Sequence, residues 1–97
     1  MRILIADNDP VCRRILGILL SKWSHDVTSA ADGQQAWAIL QRDDAPPMAI
    51  LDWSLPEIDG LEACRRLRAL MRPAPTYVML MTTGQQRQIQ QIGRAHV

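Results

Sequence analysis

The chain has 97 residues, of which 47% are hydrophobic and 22% charged, and its formal net charge at pH 7 is +1. This length and composition indicate one soluble globular domain. The chain has no basic tract and no apolar stretch approaching the roughly 20 residues that span a bilayer. We therefore expect a cytoplasmic segment that binds neither nucleic acid nor membrane.

Short apolar runs alternate with amphipathic stretches along the chain, which predicts strands that alternate with helices. Pro10 suits the first turn of the first helix, with Asp9 as its N-cap. The predicted strands cover residues 2–6, 26–30, 48–52 and 76–81, and the predicted helices cover residues 10–22, 34–42 and 60–71, followed by a polar helix from about residue 85.

Each predicted helix has an apolar face at helical spacing. The face of the first helix comprises Val11, Ile15, Ile18 and Leu19. The turn Asp32-Gly33 leads into the second helix, which is expected to bury Ala36, Trp37 and Leu40. The third helix is expected to direct Leu61, Cys64, Leu67 and Met71 inward.

A strand, helix, strand repeat predicts an α/β fold in which helices cover both faces of a parallel sheet. In such sheets the ligand site lies beyond the carboxyl ends of the strands, near a switch in strand order. Polar side chains follow three of the predicted strands at that edge: Asp7, Asn8, Asp9, Asp52 and Thr82. The sequence therefore predicts a site there.

Two buried strands deliver carboxylates to this edge, and crowded carboxylates are costly without a cation. Mg²⁺ is a suitable cation because it favours hard oxygen ligands, which Asp52, Asp7 and Asn8 can supply. A carboxylate can also attack a phosphoryl group and form an aspartyl phosphate. Thr82 offers a hydroxyl that can donate to a phosphoryl oxygen. These residues together indicate phosphoryl chemistry.

Three segments, residues 3–10, 51–60 and 78–84, resemble the receiver domain of two-component response regulators. Asp7 and Asp52 are 45 residues apart, and Asp52 and Thr82 are 30 apart, as in that family. The resemblance covers residues 1 to about 88. It implies a flavodoxin-like, doubly wound parallel sheet, whose strand order in the family is 2-1-3-4-5.

The resemblance also implies roles for particular residues. Asp52 would be the phosphoacceptor, and Thr82 would follow the phosphoryl group and couple it to a conformational change. Asp7 and Asn8 would hold Mg²⁺, together with Asp52 and the backbone carbonyl of Ser54. The loop into the third helix would be shaped by Pro56, Asp59 and Gly60.

The function implied by this resemblance is a bacterial, cytoplasmic signalling module and not a metabolic enzyme. It would accept a phosphoryl group from a sensor histidine kinase or a phosphotransfer protein and then change conformation. The domain would catalyse its own phosphorylation and dephosphorylation. In the full-length protein it could precede an output domain or form a homodimer.

The sequence departs from the family pattern in two places. Asn8 stands where the family has an acid, and a neutral amide oxygen is expected to weaken Mg²⁺ binding. The family's essential lysine, its fifth strand and its last helix would lie beyond Val97. We therefore expect a partial receiver domain over residues 1–90 and a non-native tail over residues 91–97, which resembles a translated sequencing adapter.

Two alternative functions remain open. One is a pseudo-receiver that only binds protein partners. The other is an Mg²⁺-dependent phosphohydrolase with an aspartate nucleophile, because Asp7-Asn8-Asp9 superficially matches the two acids that such enzymes place at the end of their first strand.

Overall fold

The computed structural model describes residues 1–81, in which four strands alternate with three helices. Their order is β1 (Arg2–Ala6), α1 (Pro10–Lys22), β2 (Asp26–Ala30), α2 (Gly33–Leu40), β3 (Met48–Asp52), α3 (Gly60–Ala69) and β4 (Tyr77–Met81). The predicted strands are confirmed, apart from a one-residue later start of β4. The predicted α2 and α3 each end two residues earlier than expected. The predicted fourth helix and the tail lie outside the described residues.

The four strands form one parallel sheet in the order β2-β1-β3-β4. Ile3 of β1 pairs with Val27 of β2 on one side and with Met48 of β3 on the other. The chain therefore first winds outward to β2 and then crosses back over β1 to β3. This reversal brings the carboxyl ends of β1 and β3 side by side, as the predicted doubly wound fold requires.

The core lies between the sheet and the pair of helices α2 and α3. Ala36 and Leu40 of α2 are fully buried, and Leu67 of α3 is 3% exposed, as the sequence predicts. Met71 is instead 86% exposed, so its predicted inward position is wrong. The reason is that α3 ends at Ala69, and Met71 adopts a left-handed conformation with φ of 51°.

Helix α1 packs on β1 and β2 with the side opposite to the apolar face that the sequence predicts. Val11 and Ile18 of that face are 61% and 57% exposed. The half-buried residues of α1 are instead Arg13, Leu16, Gly17 and Leu20. Because α1 is apolar around most of its circumference, hydrophobic spacing alone could not select the side that contacts the sheet.

Two side chains after α3 tie β4 to the rest of the fold. The guanidinium of Arg72 donates to the carbonyl oxygens of Leu40, at 2.6 Å, and Gln41, at the end of α2. The buried hydroxyl of Thr76 donates to the carbonyl of Pro46 at 2.7 Å, just before β3. These bonds satisfy carbonyls that a helix end and a loop leave unpaired, and they set β4 beside β3.

Within residues 1–81, no helix combines the length and the apolar character that a membrane span requires.

Candidate functional site

Asp7 occupies the carboxyl end of β1, where three hydrogen bonds fix it. Its side chain is buried, with 5% of the residue exposed. Its N–H donates to the carbonyl of Ala30 at 3.2 Å, and its Oδ1 accepts from the N–H of Asp9 at 2.9 Å. Its own carbonyl accepts from the guanidinium of Arg13 at 2.7 Å. The Asp7 carboxylate therefore has a defined orientation.

Asp9 caps α1, as the sequence predicts. Its Oδ1 accepts from the N–H of Val11 at 2.9 Å, and its backbone is extended, as an N-cap requires. The Asp9 carboxylate is thus engaged by the helix, which leaves Asp7 as the buried acid at this strand end.

Asp52 is the last residue of β3 and is also 5% exposed. It pairs in register with Met81 of β4, and the next N–H, that of Trp53, donates to the Met81 carbonyl at 2.8 Å. The N–H of Ser54 donates to the Asp52 Oδ1 at 3.2 Å. The sheet and the following loop therefore hold the Asp52 carboxylate at the same edge as Asp7.

The loop after Asp52 returns tightly over the end of β3. The N–H of Gly60 donates to the carbonyl of Trp53 at 3.1 Å. A Cβ at Gly60 would lie 2.5 Å from the Asp52 carbonyl oxygen and 3.0 Å from the Leu80 side chain. Glycine is therefore required at position 60 by close approach of the backbone. This contact gives a physical reason for the predicted part of Gly60 in shaping the loop.

The same loop is also held against the start of α2. The N–H of Gly33 donates to the carbonyl of Pro56 at 3.2 Å. A Cβ at Gly33 would lie only 1.5 Å from the carbonyl oxygen of Ile58. Between Pro56 and Ile58, Glu57 adopts φ of 68°, a conformation that favours glycine. The loop is thus fixed by β3 on one side and by α2 on the other.

Burial and the neighbouring Asp7 carboxyl group both act on the pKa of Asp52. Burial raises the pKa of Asp52, the N–H of Ser54 lowers it, and the charge of Asp7 raises it further, together with a hydrogen bond that protonated Asp52 donates to Asp7. Within residues 1–81, the ion pairs join Arg42 to Asp44 and join Glu62 to two arginines of α3. Neither Asp7 nor Asp52 forms an ion pair with a basic side chain of the described part.

This donor set suits Mg²⁺ better than a metal held by several protein ligands. No cluster of three or more His, Cys, Asp or Glu side chains that could hold a metal occurs in residues 1–81. Mg²⁺ commonly uses only one or two carboxylates and keeps several waters. Asp7 and Asp52 meet that requirement, and the exposed Asn8 beside them offers an amide oxygen.

Comparison with known proteins decides the family. The sequence description of the response regulator receiver domain matches residues 3–96. The chain belongs to the response regulator receiver domain family. It is 32% identical over 84 residues to the chemotaxis protein CheY homolog of Campylobacter jejuni strain 81-176, a match that covers 86% of this chain. The match covers 65% of that relative, so the chain spans less than two thirds of its length.

Solved structures of receiver domains share the fold. The Francisella response regulator 1452 receiver domain superposes with a TM-score of 0.81 at 21% identity, covering 97% of this chain and 75% of that chain. The response regulator TrrA of Thermotoga maritima, solved in complex with Mg²⁺ and BeF, gives a TM-score of 0.76 at 27% identity, covering 90% of this chain and 74% of that one. The fold is therefore flavodoxin-like, as the sequence predicts.

The receiver fold brings Asp7 and Asp52 together and leaves Asn8 and Ser54 exposed beside them. Thr82, the predicted hydroxyl donor, lies outside the described residues, so its role stays a prediction. The roles of the other site residues also stay predictions.

Sequence reasoning missed two residues at this edge. Arg13 bonds to the Asp7 carbonyl, although no sequence pattern indicates a contact six residues back. Cys12 adjoins the acids, and its thiol pKa is raised by lost hydration first and then by the charges of Asp7 and Asp9 and hydrogen bonds with both. Cys12 and Arg13 lie in the first turn of α1, which the predicted N-cap Asp9 places against the end of β1. That N-cap was the sequence signal that could have indicated both residues.

The raised pKa of Asp52 makes stability depend on pH. Because the folded state binds this proton more tightly than the unfolded state, Asp52 stabilises the fold most at low pH. That contribution is lost as the pH rises from about 4, the ordinary aspartate pKa, to the raised value. In EDTA, Asp52→Asn is therefore expected to be more stable than wild type at neutral pH, by an amount that shrinks on acidification. Urea unfolding across this range measures the difference, and a difference independent of pH would contradict the argument.

Proposed function

We propose that this receiver domain accepts a phosphoryl group on Asp52 in an Mg²⁺-dependent reaction and acts as a switch in a two-component phosphorelay. The observation that carries the proposal is the pair of buried acids Asp7 and Asp52 at one sheet edge, neither of which forms an ion pair within the described residues. Holding such a pair together without a cation is costly, so the site is suited to binding one.

The chemistry assigns distinct tasks to the residues around Asp52. A free carboxylate oxygen of Asp52 attacks phosphorus, the bond from phosphorus to the donor breaks, and an acyl phosphate forms on the side chain. The N–H of Ser54 keeps the other oxygen in place. Asp7, Asn8, Asp52 and the Ser54 carbonyl would hold Mg²⁺, which would offset the repulsion between the carboxylate and the anionic phosphoryl group. The Thr82 hydroxyl would donate a hydrogen bond to a phosphoryl oxygen and so couple phosphorylation to a conformational change of the domain.

The proposed donor is a sensor histidine kinase or a phosphotransfer protein of the bacterial cytoplasm. The TrrA structure with Mg²⁺ and BeF supports the Mg²⁺-dependent site and not a particular donor, since TrrA shares the fold and 27% of the aligned residues. The readout would be an output domain or a homodimer of the full-length protein. Release of the phosphoryl group by water would reset the switch.

The geometry gives less support to a phosphohydrolase that uses Asp7 as its nucleophile. Such an enzyme needs a free second acid two residues later, but Asp9 accepts from the N–H of Val11 as the N-cap of α1. The Asp7 Oδ1 also accepts from the N–H of Asp9. The second acid of that motif is therefore engaged as a helix cap.

Incubation with acetyl phosphate and Mg²⁺, followed by peptide mapping of the modified protein, tests the proposal. We expect one hydroxylamine-labile phosphoryl group in the peptide that contains Asp52, with none formed in EDTA. Asp52→Asn should abolish the modification. Asp59→Asn is the matched control, because it makes the same chemical change and an asparagine at this N-cap still accepts from the N–H of Glu62.

Absence of any modification in wild type would favour a pseudo-receiver. Persistence of the modification in Asp52→Asn would place the nucleophile elsewhere.

A further inference from the structure

Arg13 is a half-buried cation at the acidic edge of the sheet, and the proposed chemistry leaves it without a task. It lies on the side of α1 that faces the sheet, one turn into the helix. Its Nη1 donates to the backbone carbonyl of Asp7 at 2.7 Å. It forms no ion pair with an acid of residues 1–81, although Asp7 and Asp9 are close by.

This hydrogen bond completes the fixation of Asp7. The Asp7 N–H is bonded to Ala30, and its Oδ1 is bonded to the N–H of Asp9. The Asp7 carbonyl lies one residue beyond β1, where the sheet no longer supplies a partner. Arg13 provides that partner, and its own N–H donates to the Asp9 carbonyl at 3.1 Å, so it joins both acids to α1.

We propose that Arg13 is a positioning residue, which orients the Asp7 carboxylate for Mg²⁺ through its bond to the Asp7 backbone carbonyl. The inference rests on the proposed function. Arg13 would not bind the ion itself, because its guanidinium contacts Asp7, which is a proposed ligand. Groups of this kind commonly change metal affinity by about 10- to 100-fold when they are removed.

The loss of the Arg13 charge and the loss of its hydrogen bond should change the Mg²⁺ affinity of Arg13→Met in opposite directions. Loss of a nearby positive charge alone would strengthen Mg²⁺ binding, because the ion would meet less repulsion. Loss of the bond to the Asp7 carbonyl would weaken binding, because the backbone that carries the Asp7 carboxylate would be held less firmly. The inference requires the second effect to exceed the first, so the sign of the change in Kd decides between them.

The test is a Mg²⁺ titration of wild type, Arg13→Met, Arg13→Lys and Arg14→Met, followed by tryptophan fluorescence. The signal is assigned to Trp53 by its loss in Trp53→Phe. We expect the Kd to rise about tenfold in Arg13→Met. The Kd of Arg13→Lys should rise less, because one ammonium N–H can still reach the Asp7 carbonyl. Arg14→Met is the matched control, since Arg14 is the exposed neighbour on the same helix, and its Kd should equal that of wild type.

Thermal unfolding in EDTA separates positioning from folding, since the titrations are run well below each midpoint. If wild type responds to Mg²⁺ and the Kd of Arg13→Met is unchanged or lower, the role of Arg13 is overturned, while the proposed metal site stands. A wild-type protein that shows no response to Mg²⁺ would overturn the proposed metal site and the inference together. An equal rise in Arg14→Met would show that the effect is not specific to Arg13, and would also overturn it.

Discussion

Gly33→Ala is expected to destabilise the domain by at least about 3 kcal/mol, the upper part of the range for overpacking. The added methyl group would lie 1.5 Å from the carbonyl oxygen of Ile58, a backbone atom that no side-chain rotation can move. Either α2 or the loop after Asp52 must shift. That shift would also stretch the bond from the Gly33 N–H to Pro56. Such a loss is a large part of the 5–15 kcal/mol that stabilises a typical domain.

Urea unfolding of the variant checks this expectation, and Gly17→Ala is its matched control. A Cβ at Gly17 would meet nothing within 4 Å. Because alanine is a better helix former than glycine, Gly17→Ala should raise the free energy of unfolding by about 0.5–1 kcal/mol. The same chemical change is thus expected to have opposite signs at the two positions. Equal midpoints for the two variants would show that the α2 contact with the loop is not a constraint.

The strands and the two central acids could be predicted from the sequence because their determinants are local. A strand buried on both faces is a continuous apolar run, and β1 and β3 are such runs. The predicted N-cap Asp9 acts on Val11, only two residues later. Parallel strands then bring Asp7 and Asp52 to one edge without further information.

The features that the sequence did not predict depend on contacts between distant segments. Gly33 reads as a turn residue, but its φ is not positive, and it is required because Ile58, 25 positions later, approaches it. The apolar residues of α1 lie on almost all its sides, so spacing did not reveal that Arg13 and Gly17 face the sheet. Sequence periodicity indicates that a segment is a helix and where its apolar residues lie. Which side of the helix packs on the sheet depends on the whole fold.

Asp7→Asn is expected to weaken Mg²⁺ binding by at least tenfold, since even partners outside the ligand set are worth about that much. Asparagine preserves the shape of the side chain, and its Oδ1 can still accept from the N–H of Asp9. The variant therefore removes charge without removing the local structure. Asn8 already supplies a neutral oxygen where the family has an acid, so Asp52 would remain the single carboxylate toward the metal.

The same substitution should not destabilise the metal-free domain, because it removes the Asp7 charge, which adds to the effect of burial in raising the pKa of Asp52. Loss of Mg²⁺ binding together with retained or increased stability in EDTA would thus identify Asp7 as a charged ligand and not as a structural cap. Trp53 fluorescence and thermal unfolding, each with and without Mg²⁺, measure the two effects. Asp9→Asn is the control, since it preserves the N-cap and should leave Mg²⁺ affinity within a few-fold of wild type. Equal Mg²⁺ affinities of Asp7→Asn and wild type would remove Asp7 from the metal site.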